Sequence, residues 1–321
     1  MVVAKILIVT STGIPEERVK QLQGEYQSRA EFIAAEDKQV AIFSKVTGVD
    51  ALIGCPRYIF SQELLDKAGE SLRWIHVDGA GCEEFFIPGL VKSHIVLTNG
   101  KIIQGPEVAD HAFALLLSLT RNIAYVLRKQ TAPMSRPIEL RRKVAVIIGC
   151  GGIGMLIAER AAAFGMKVFG VTPDYVPMLK MYDGWFPPHH LKEALALADV
   201  VFMAAPVTEE TKQMMGQEEF AAMKDTAYFI NVSRGRTVDT EALTKILQQG
   251  KLKGVGLDVS DPEPLPEEHP LRDMVNVVIT PHIAGPSDKN RGRSFELIKN
   301  NIERFINHGP LINVVDKELG Y

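Results

Sequence analysis

The sequence predicts an α/β fold built from two doubly wound parallel-sheet domains. Three observations predict it. Short apolar runs alternate with helix-patterned segments over nearly the whole chain, which is the pattern of βαβ units. The runs are apolar throughout rather than at every second position, as expected of strands covered on both faces. They also fall into two groups, separated near residues 100–106 ("GKIIQGP") and 284–292 ("AGPSDKNRG"). With 321 residues, the chain is long enough for two cores.

Taken in order, the first strands are "KILIVT", "ALIGC", "RWIHV" and "HIVLTN", with a helix patterned over 61–68 between two of them. A long Ala- and Leu-rich helix is expected at about 106–127. "KVAVIIG", "KVFGV", "DVVFMAA", "AYFINV", "LKGVGLDV" and "VNVVITP" follow as a second set of strands. A last helix runs to about 307 and the chain closes on "LINVVD". Counting strands this way assigns 1–103 and 286–321 to one domain. Residues 104–285 form a second domain inserted into it.

Composition removes several function classes. Charged residues make up 23% and the net charge is −3, so no basic surface for nucleic acid or anionic lipid is expected. The longest apolar stretch, "HAFALLLSL", is too short to span a bilayer. "MVVAKILIVT" lacks a basic n-region and a small-residue cleavage site, and reads as a first strand. Cys55, Cys82 and Cys150 are odd in number and widely spaced, which fits neither a disulfide framework nor a zinc site. The expectation is a cytoplasmic protein without a metal.

The most specific local motif is "KVAVIIGCGGIG". A buried strand runs into Gly149-Cys150-Gly151-Gly152-Ile153-Gly154, and a helical stretch follows. Gly149 permits a tight turn, Gly151 lets backbone approach a pyrophosphate, and Gly154 lets the helix pack on the strand. The pyrophosphate would rest on the positive end of that helix. Strand before and helix after are the context that turns a glycine-rich run into a dinucleotide site.

Three further strand ends carry chemistry. "INVSRGRTVD" ends with Arg234, "VGLDVSDPEPL" with Asp258 and then Glu263, and "VITPHIAG" with His282 directly after Pro281. Proline cannot continue the strand, so His282 is held at a sheet exit, where open α/β sheets place ligands. A histidine there can give or take the proton of a hydroxyl while a nicotinamide exchanges the hydride. A carboxylate on its other nitrogen favours its charged form. An arginine binds a carboxylate through its planar fork. Spacing alone leaves Glu263, Glu267 and Glu268 open as that carboxylate. In the other domain "HVDGAGC" offers Gly79, Ala80 and Gly81, whose backbone N–H groups can form an anion nest.

These stretches resemble the D-isomer-specific 2-hydroxyacid dehydrogenases, the group of glyoxylate/hydroxypyruvate reductases and phosphoglycerate dehydrogenase. "VDGAGCEEF", "VLTNGKIIQGPEVADHAFALLLSLTRN", "GCGGIG", "VSRGRTVD", "DVSDPEP" and "TPHIAG" occur in the family's order across most of 72–285. The resemblance implies two Rossmann-like domains with a cleft between them. It implies Arg234 for the substrate carboxylate and carbonyl, His282 for acid–base work, and Glu263 as the partner of His282. It places Asp258 near the nicotinamide, Gly152 and Ile153 at the pyrophosphate, and Thr211 in the cofactor site. The Gly79–Gly81 loop would hold the substrate carboxylate. Asp110 departs from the family's usual Glu but keeps the charge. The other histidines, His111 among them, show no partner pattern.

Three expectations complete the reading. An NAD(P) cofactor is implied, and Thr172 tilts it toward NADP. A carboxylate at that strand end would accept from both ribose hydroxyls and repel a 2′-phosphate, whereas Thr172 is neutral. Asp174 and Lys180 are the nearby residues able to modify that choice. A homodimer is implied, its arm formed by the helix from Glu107 and the segment to about residue 140. A rival class keeps the same residues: some relatives are transcriptional corepressors, which implies a dinucleotide-sensing binding protein with little turnover. Assays with 2-keto acids separate the two.

Overall fold

In the strand Ala4–Thr10 (β1), Ile6 and Ile8 face one core while Leu7 and Val9 face another. The unbroken apolar run exists because both faces are covered. The computed structural model describes residues 3–11, 14–131, 135–173 and 181–320. The chain divides into two units, Met1–Gln104 with Ser287–Tyr321, and Gly105–Pro286.

The first unit adds β2 (Ala30–Glu36), β3 (Ala51–Ile53), β4 (Trp74–Val77) and β5 (Val96–Asn99). Helices α1 (Glu16–Tyr26), α2 (Gln39–Lys45), α3 (Gln62–Ala68) and α4 (Pro88–Val91) separate them. The sheet order is β2-β1-β3-β4-β5, and all pairs are parallel. Leu7, Val9, Leu52, Ile75 and Leu97 pack with Ile42, Phe43, Leu64, Leu65 and Leu90 of α2, α3 and α4. Local signals set the helix limits. Ser61 caps α3 by accepting from Leu64 N at 3.3 Å, and Gly69 ends it at φ +79°.

The second unit begins with α5 (Gly105–Thr120) and α6 (Ile123–Lys129). The single helix expected over about 106–127 is therefore broken. Asn122 takes φ +60°, a left-handed conformation that asparagine tolerates and a continuous helix does not. The chain then alternates β6 (Val144–Ile148), α7 (Gly152–Ala163), β7 (Lys167–Val171), β8 (Gly184–Phe186), α8 (Leu191–Leu197), β9 (Val200–Met203) and α9 (Gln217–Ala222). It continues with β10 (Tyr228–Asn231), α10 (Thr240–Gln248), β11 (Gly254–Leu257) and β12 (Val277–Ile279). The seven strands run in the order β12-β11-β10-β9-β6-β7-β8, all parallel.

One face of this sheet is covered by α5 and α7 through Val108, Ala112, Phe113, Leu115, Leu116, Ile157 and Ala161. The other is covered by α8, α9 and α10 through Leu191, Leu195, Phe220, Leu243 and Ile246. The strand order reverses between β6 and β9, the switch point at which such sheets bind ligands. The final helix α11 (Asn290–Ile306) returns to the first unit, where Phe295, Ile298 and Ile302 join α1 in covering Ile6, Ile8 and Trp74. Among the described residues no helix is long and apolar enough to cross a membrane.

Candidate active site

Parallel strands put every carboxyl end on one edge, and register decides what shares it. Asn231 pairs with Leu257, and Leu257 with Ile279. Arg234, Asp258 and His282 therefore leave neighbouring strands at one edge of the second unit's sheet. The glycine turn after β6 opens at the same edge.

Two glycines of that turn have separate steric reasons. Gly149 has φ +92°, and a Cβ there would lie 2.5 Å from the Ala205 backbone. A Cβ on Gly154 would lie 2.0 Å from Gly149 O, so β6 and α7 can approach only with glycine. Gly151 meets nothing within 4 Å. The space that a side chain could fill there is the space a pyrophosphate would need. Gly151, Gly152 and Ile153 lie at the start of a helix of 12 residues, whose free N–H groups and dipole favour an anion. The donor set fits a dinucleotide.

Thr172 directly follows β7, where no carboxylate stands. Thr172 N donates to Phe186 O at 3.2 Å, and Thr172 O accepts from Trp185 Nε1 at 2.8 Å. These bonds fix the strand end against β8. Asp174 and Lys180 lie outside the described residues. Thr211, after β9, shapes its own loop: its hydroxyl donates to Pro206 O at 2.6 Å and accepts from Thr208 N at 2.7 Å.

The Arg234 backbone is tied down by Asn231 Nδ2 and Thr237 Oγ1, which donate to its carbonyl at 3.1 and 2.7 Å. A Cβ on Gly235 would lie 1.9 Å from Ser260 O. The Arg-Gly pair thus packs directly on the loop that carries Glu263. The guanidinium Nη1 donates to Ser233 O at 2.8 Å.

His282 Nδ1 lies 2.6 Å from Glu263 Oε1, so of the three carboxylates left open by the sequence the structure pairs Glu263. An ionised carboxylate only accepts, which puts the proton on Nδ1 and leaves Nε2 to exchange a proton. The two side chains are 48% and 41% exposed. Pairs that open to water add little stability, so the contact is better suited to aiming the ring than to holding the fold. His282 has φ +53°, an unfavourable backbone for a side-chain-bearing residue.

Asp258 is 2% exposed and serves as the anchor of this exit. Its carboxylate accepts from Thr280 Oγ1 at 2.6 Å, Ile283 N at 3.0 Å and Ala284 N at 3.0 Å. Its carbonyl accepts from His282 N at 2.8 Å. Burial alone would push its pKa up. Hydrogen bonds from His111, Thr280 and the two backbone amides outweigh that and hold it at about 2.

The sequence reading missed His111. Its Nε2 is 2.8 Å from Thr280 Oγ1. A signal was present: His111 lies three residues after Val108 and four before Leu115, on the helix stripe that is otherwise apolar. A polar group there requires a buried partner. Asp110 bonds Arg160 Nε at 2.7 Å, joining α5 to α7.

Gly79, Ala80 and Gly81 lie at the carboxyl edge of the first unit's own sheet, after β4. Their loop is pinned by its carbonyls. Gly79 O accepts from Gly100 N at 2.8 Å and Ala80 O from Asn99 Nδ2 at 2.7 Å. Asp78, whose pKa burial pushes up, accepts from Ser294 of α11. Arg57 pairs with Glu84 at 3.1 Å, and Tyr58 donates to Asp37 at 2.6 Å.

Comparison with known proteins gives the family. Residues 113–284 match the family model described as "D-isomer specific 2-hydroxyacid dehydrogenase, NAD binding domain". A glyoxylate reductase of Korarchaeum cryptofilum is 30% identical, covering 97% of this chain and 96% of the relative. A glyoxylate reductase of Pyrococcus furiosus is 31% identical, again covering 97% and 96%. A D-isomer specific 2-hydroxyacid dehydrogenase family protein of Aeromonas salmonicida superposes with a TM-score of 0.82 at 27% identity, covering 98% of this chain and 99% of that one. An acyclic imino acid reductase in complex with NADPH and D-Arg gives a TM-score of 0.79 at 25% identity, covering 97% and 100%. With a family model over more than half its length and relatives of this identity along nearly all of it, the chain belongs to the D-isomer specific 2-hydroxyacid dehydrogenase family.

Proposed function

We propose that the protein is a 2-keto acid reductase that uses a nicotinamide dinucleotide, preferably NADPH, and forms the D-2-hydroxy acid. The observation that carries this reading is the 2.6 Å pair of His282 and Glu263 at the sheet edge that also carries the glycine turn. The cofactor, when bound, supplies a hydride to C2 of the keto acid. His282, protonated, gives its Nε2 proton to the carbonyl oxygen, and Glu263 on Nδ1 orients the ring and compensates its charge. Arg234 holds the substrate carboxylate and polarises the carbonyl, and the Gly79–Gly81 amides are proposed as a further carboxylate-binding group. Gly151, Gly152 and Ile153 hold the pyrophosphate. The neutral Thr172 removes the repulsion that a 2′-phosphate would meet, and the NADPH-bound imino acid reductase supports that preference. Asp258 acts beside the nicotinamide by keeping the His282 turn in place. The family's archaeal glyoxylate reductases put glyoxylate first among substrates to try. The working form proposed is a homodimer that uses the exposed face of α6.

The test is kcat/KM for glyoxylate, hydroxypyruvate, pyruvate and phenylpyruvate with NADPH and with NADH. At least one acid should turn over, with a NADPH to NADH ratio above one. His282→Asn should lower kcat roughly 10²-fold and leave dinucleotide affinity unchanged. Tight dinucleotide binding without turnover of any of the acids would instead favour the sensing protein. A NADPH to NADH ratio well below one would overturn the cofactor preference.

A further inference from the structure

The turn that presents His282 is held in part from helix α5. His111 of α5 places Nε2 2.8 Å from Thr280 Oγ1 and 3.4 Å from Asp258 Oδ1. The Thr280 hydroxyl has one proton, and it goes to Asp258 Oδ1 at 2.6 Å. The His111 contact must then be Nε2–H donating to a Thr280 lone pair. This fixes the His111 tautomer and makes the helix a donor to the strand exit.

Most of the bonds that define the turn meet at Asp258, beside a 3.1 Å bond from the His282 amide to Thr280 O. The amides of Ile283 and Ala284 donate to its carboxylate, and the amide of His282 to its carbonyl. A φ of +53° at His282 persists only where the surroundings over-determine it. The half-exposed Glu263 pair cannot supply that restraint. The restraint comes from the buried side, and His111 is the side chain from outside the turn that completes it.

We infer that His111 is a positioning residue for proton transfer. By donating from Nε2 into the Thr280–Asp258 pair, it locks residues 280–284 and so sets the direction in which His282 presents its own Nε2. The inference rests on His282 being the proton donor.

The test uses the full-length enzyme and four variants, His111→Leu, His111→Gln, Thr280→Val and the double variant His111→Leu with Thr280→Val. His111→Leu should lower kcat about tenfold, the scale of one lost hydrogen bond. The keto acid KM and dinucleotide Kd should stay within about twofold, because a positioning residue acts through His282 and not on either ligand. His111→Gln keeps an Nε2 donor and should recover most of the loss. Thr280→Val keeps the shape of the strand exit and should match His111→Leu. The double variant should lose little more than either single one, because both cut the same link. An unchanged kcat in His111→Leu, no recovery in His111→Gln, or losses that multiply would each overturn the inference. If His111→Leu does not fold, Thr280→Val and His111→Gln decide by the same criteria. A His282→Asn variant that keeps full activity overturns the acid–base reading itself. Full loss in His282→Asn with none in His111→Leu overturns only the positioning role.

Discussion

His76 is fully buried in the middle of β4, with Nδ1 2.8 Å from Thr98 Oγ1. The same hydroxyl oxygen accepts the Trp74 indole N–H at 2.8 Å. The Thr98 hydroxyl in turn donates to Ile75 O at 3.5 Å. His76 Nε2 finds no partner among the described residues. Burial pushes the His76 pKa down to about 4. The unfolded chain takes up the proton near the ordinary value of 6.5. Neutral His76 therefore costs the fold nothing above pH 6.5. As pH falls from 6.5 to 4 the unfolded state binds the proton first, and up to about 3 kcal/mol of stability is lost across that window. Replacing His76 by Leu should remove this part of the acid sensitivity. Urea midpoints at pH 7 and pH 4.5 are the check, and an equal drop in both proteins would exclude His76 as its source. Single residues of this kind were only partly legible in the sequence. His282 announced itself by following Thr-Pro at a strand end. His111 gave only the hint of a polar residue on an apolar helix stripe, because its partners Asp258 and Thr280 are far along the chain and only the fold brings them within reach.

At the scale of elements, the glycine turn separates two roles that the sequence writes with the same letter. Gly154 is required by packing, since a Cβ there collides with Gly149 O at 2.0 Å. Gly151 has open space and φ −73°, which any residue adopts. Gly154→Ala should force α7 off β6 and lower the melting temperature. Gly151→Ala should melt like the parent yet bind dinucleotide at least about tenfold more weakly, because the methyl occupies the pyrophosphate's approach. Thermal melts together with fluorescence titration of NADPH separate these outcomes, and a Gly151→Ala variant with parental affinity would move the pyrophosphate elsewhere. The strands themselves were largely legible because most are buried on both faces. The two the sequence did not announce, β2 and β8, are edge strands. β2 reads "AEFIAAE", and all three residues of β8 are only partly buried. With one side open to water, the continuous apolar signal fades.

At the scale of the whole molecule, the expected dimer arm begins with the helix from Glu107. The structure uses the apolar residues of that helix within the chain. Val108, Ala112, Phe113, Leu115 and Leu116 of α5 are buried against their own sheet and α7. The case for association now rests on α6, none of whose residues is buried. Ile123, Val126 and Leu127 are 48%, 42% and 74% exposed. A helix of seven residues is about 10 Å long, too short to supply the roughly 800 Å² per partner of a stable interface. The proposed dimer must therefore extend from α6 into the chain that follows it, toward residue 140. Light scattering should give a mass near twice the 35.4 kDa of one chain. Leu127→Lys places a charge at the most exposed of these positions, where it must be desolvated on association. It should shift the enzyme toward monomer at micromolar concentration without changing its melting behaviour as a monomer. A parent protein of monomer mass would remove the dimer. A dimer untouched by Leu127→Lys would place its interface on another face.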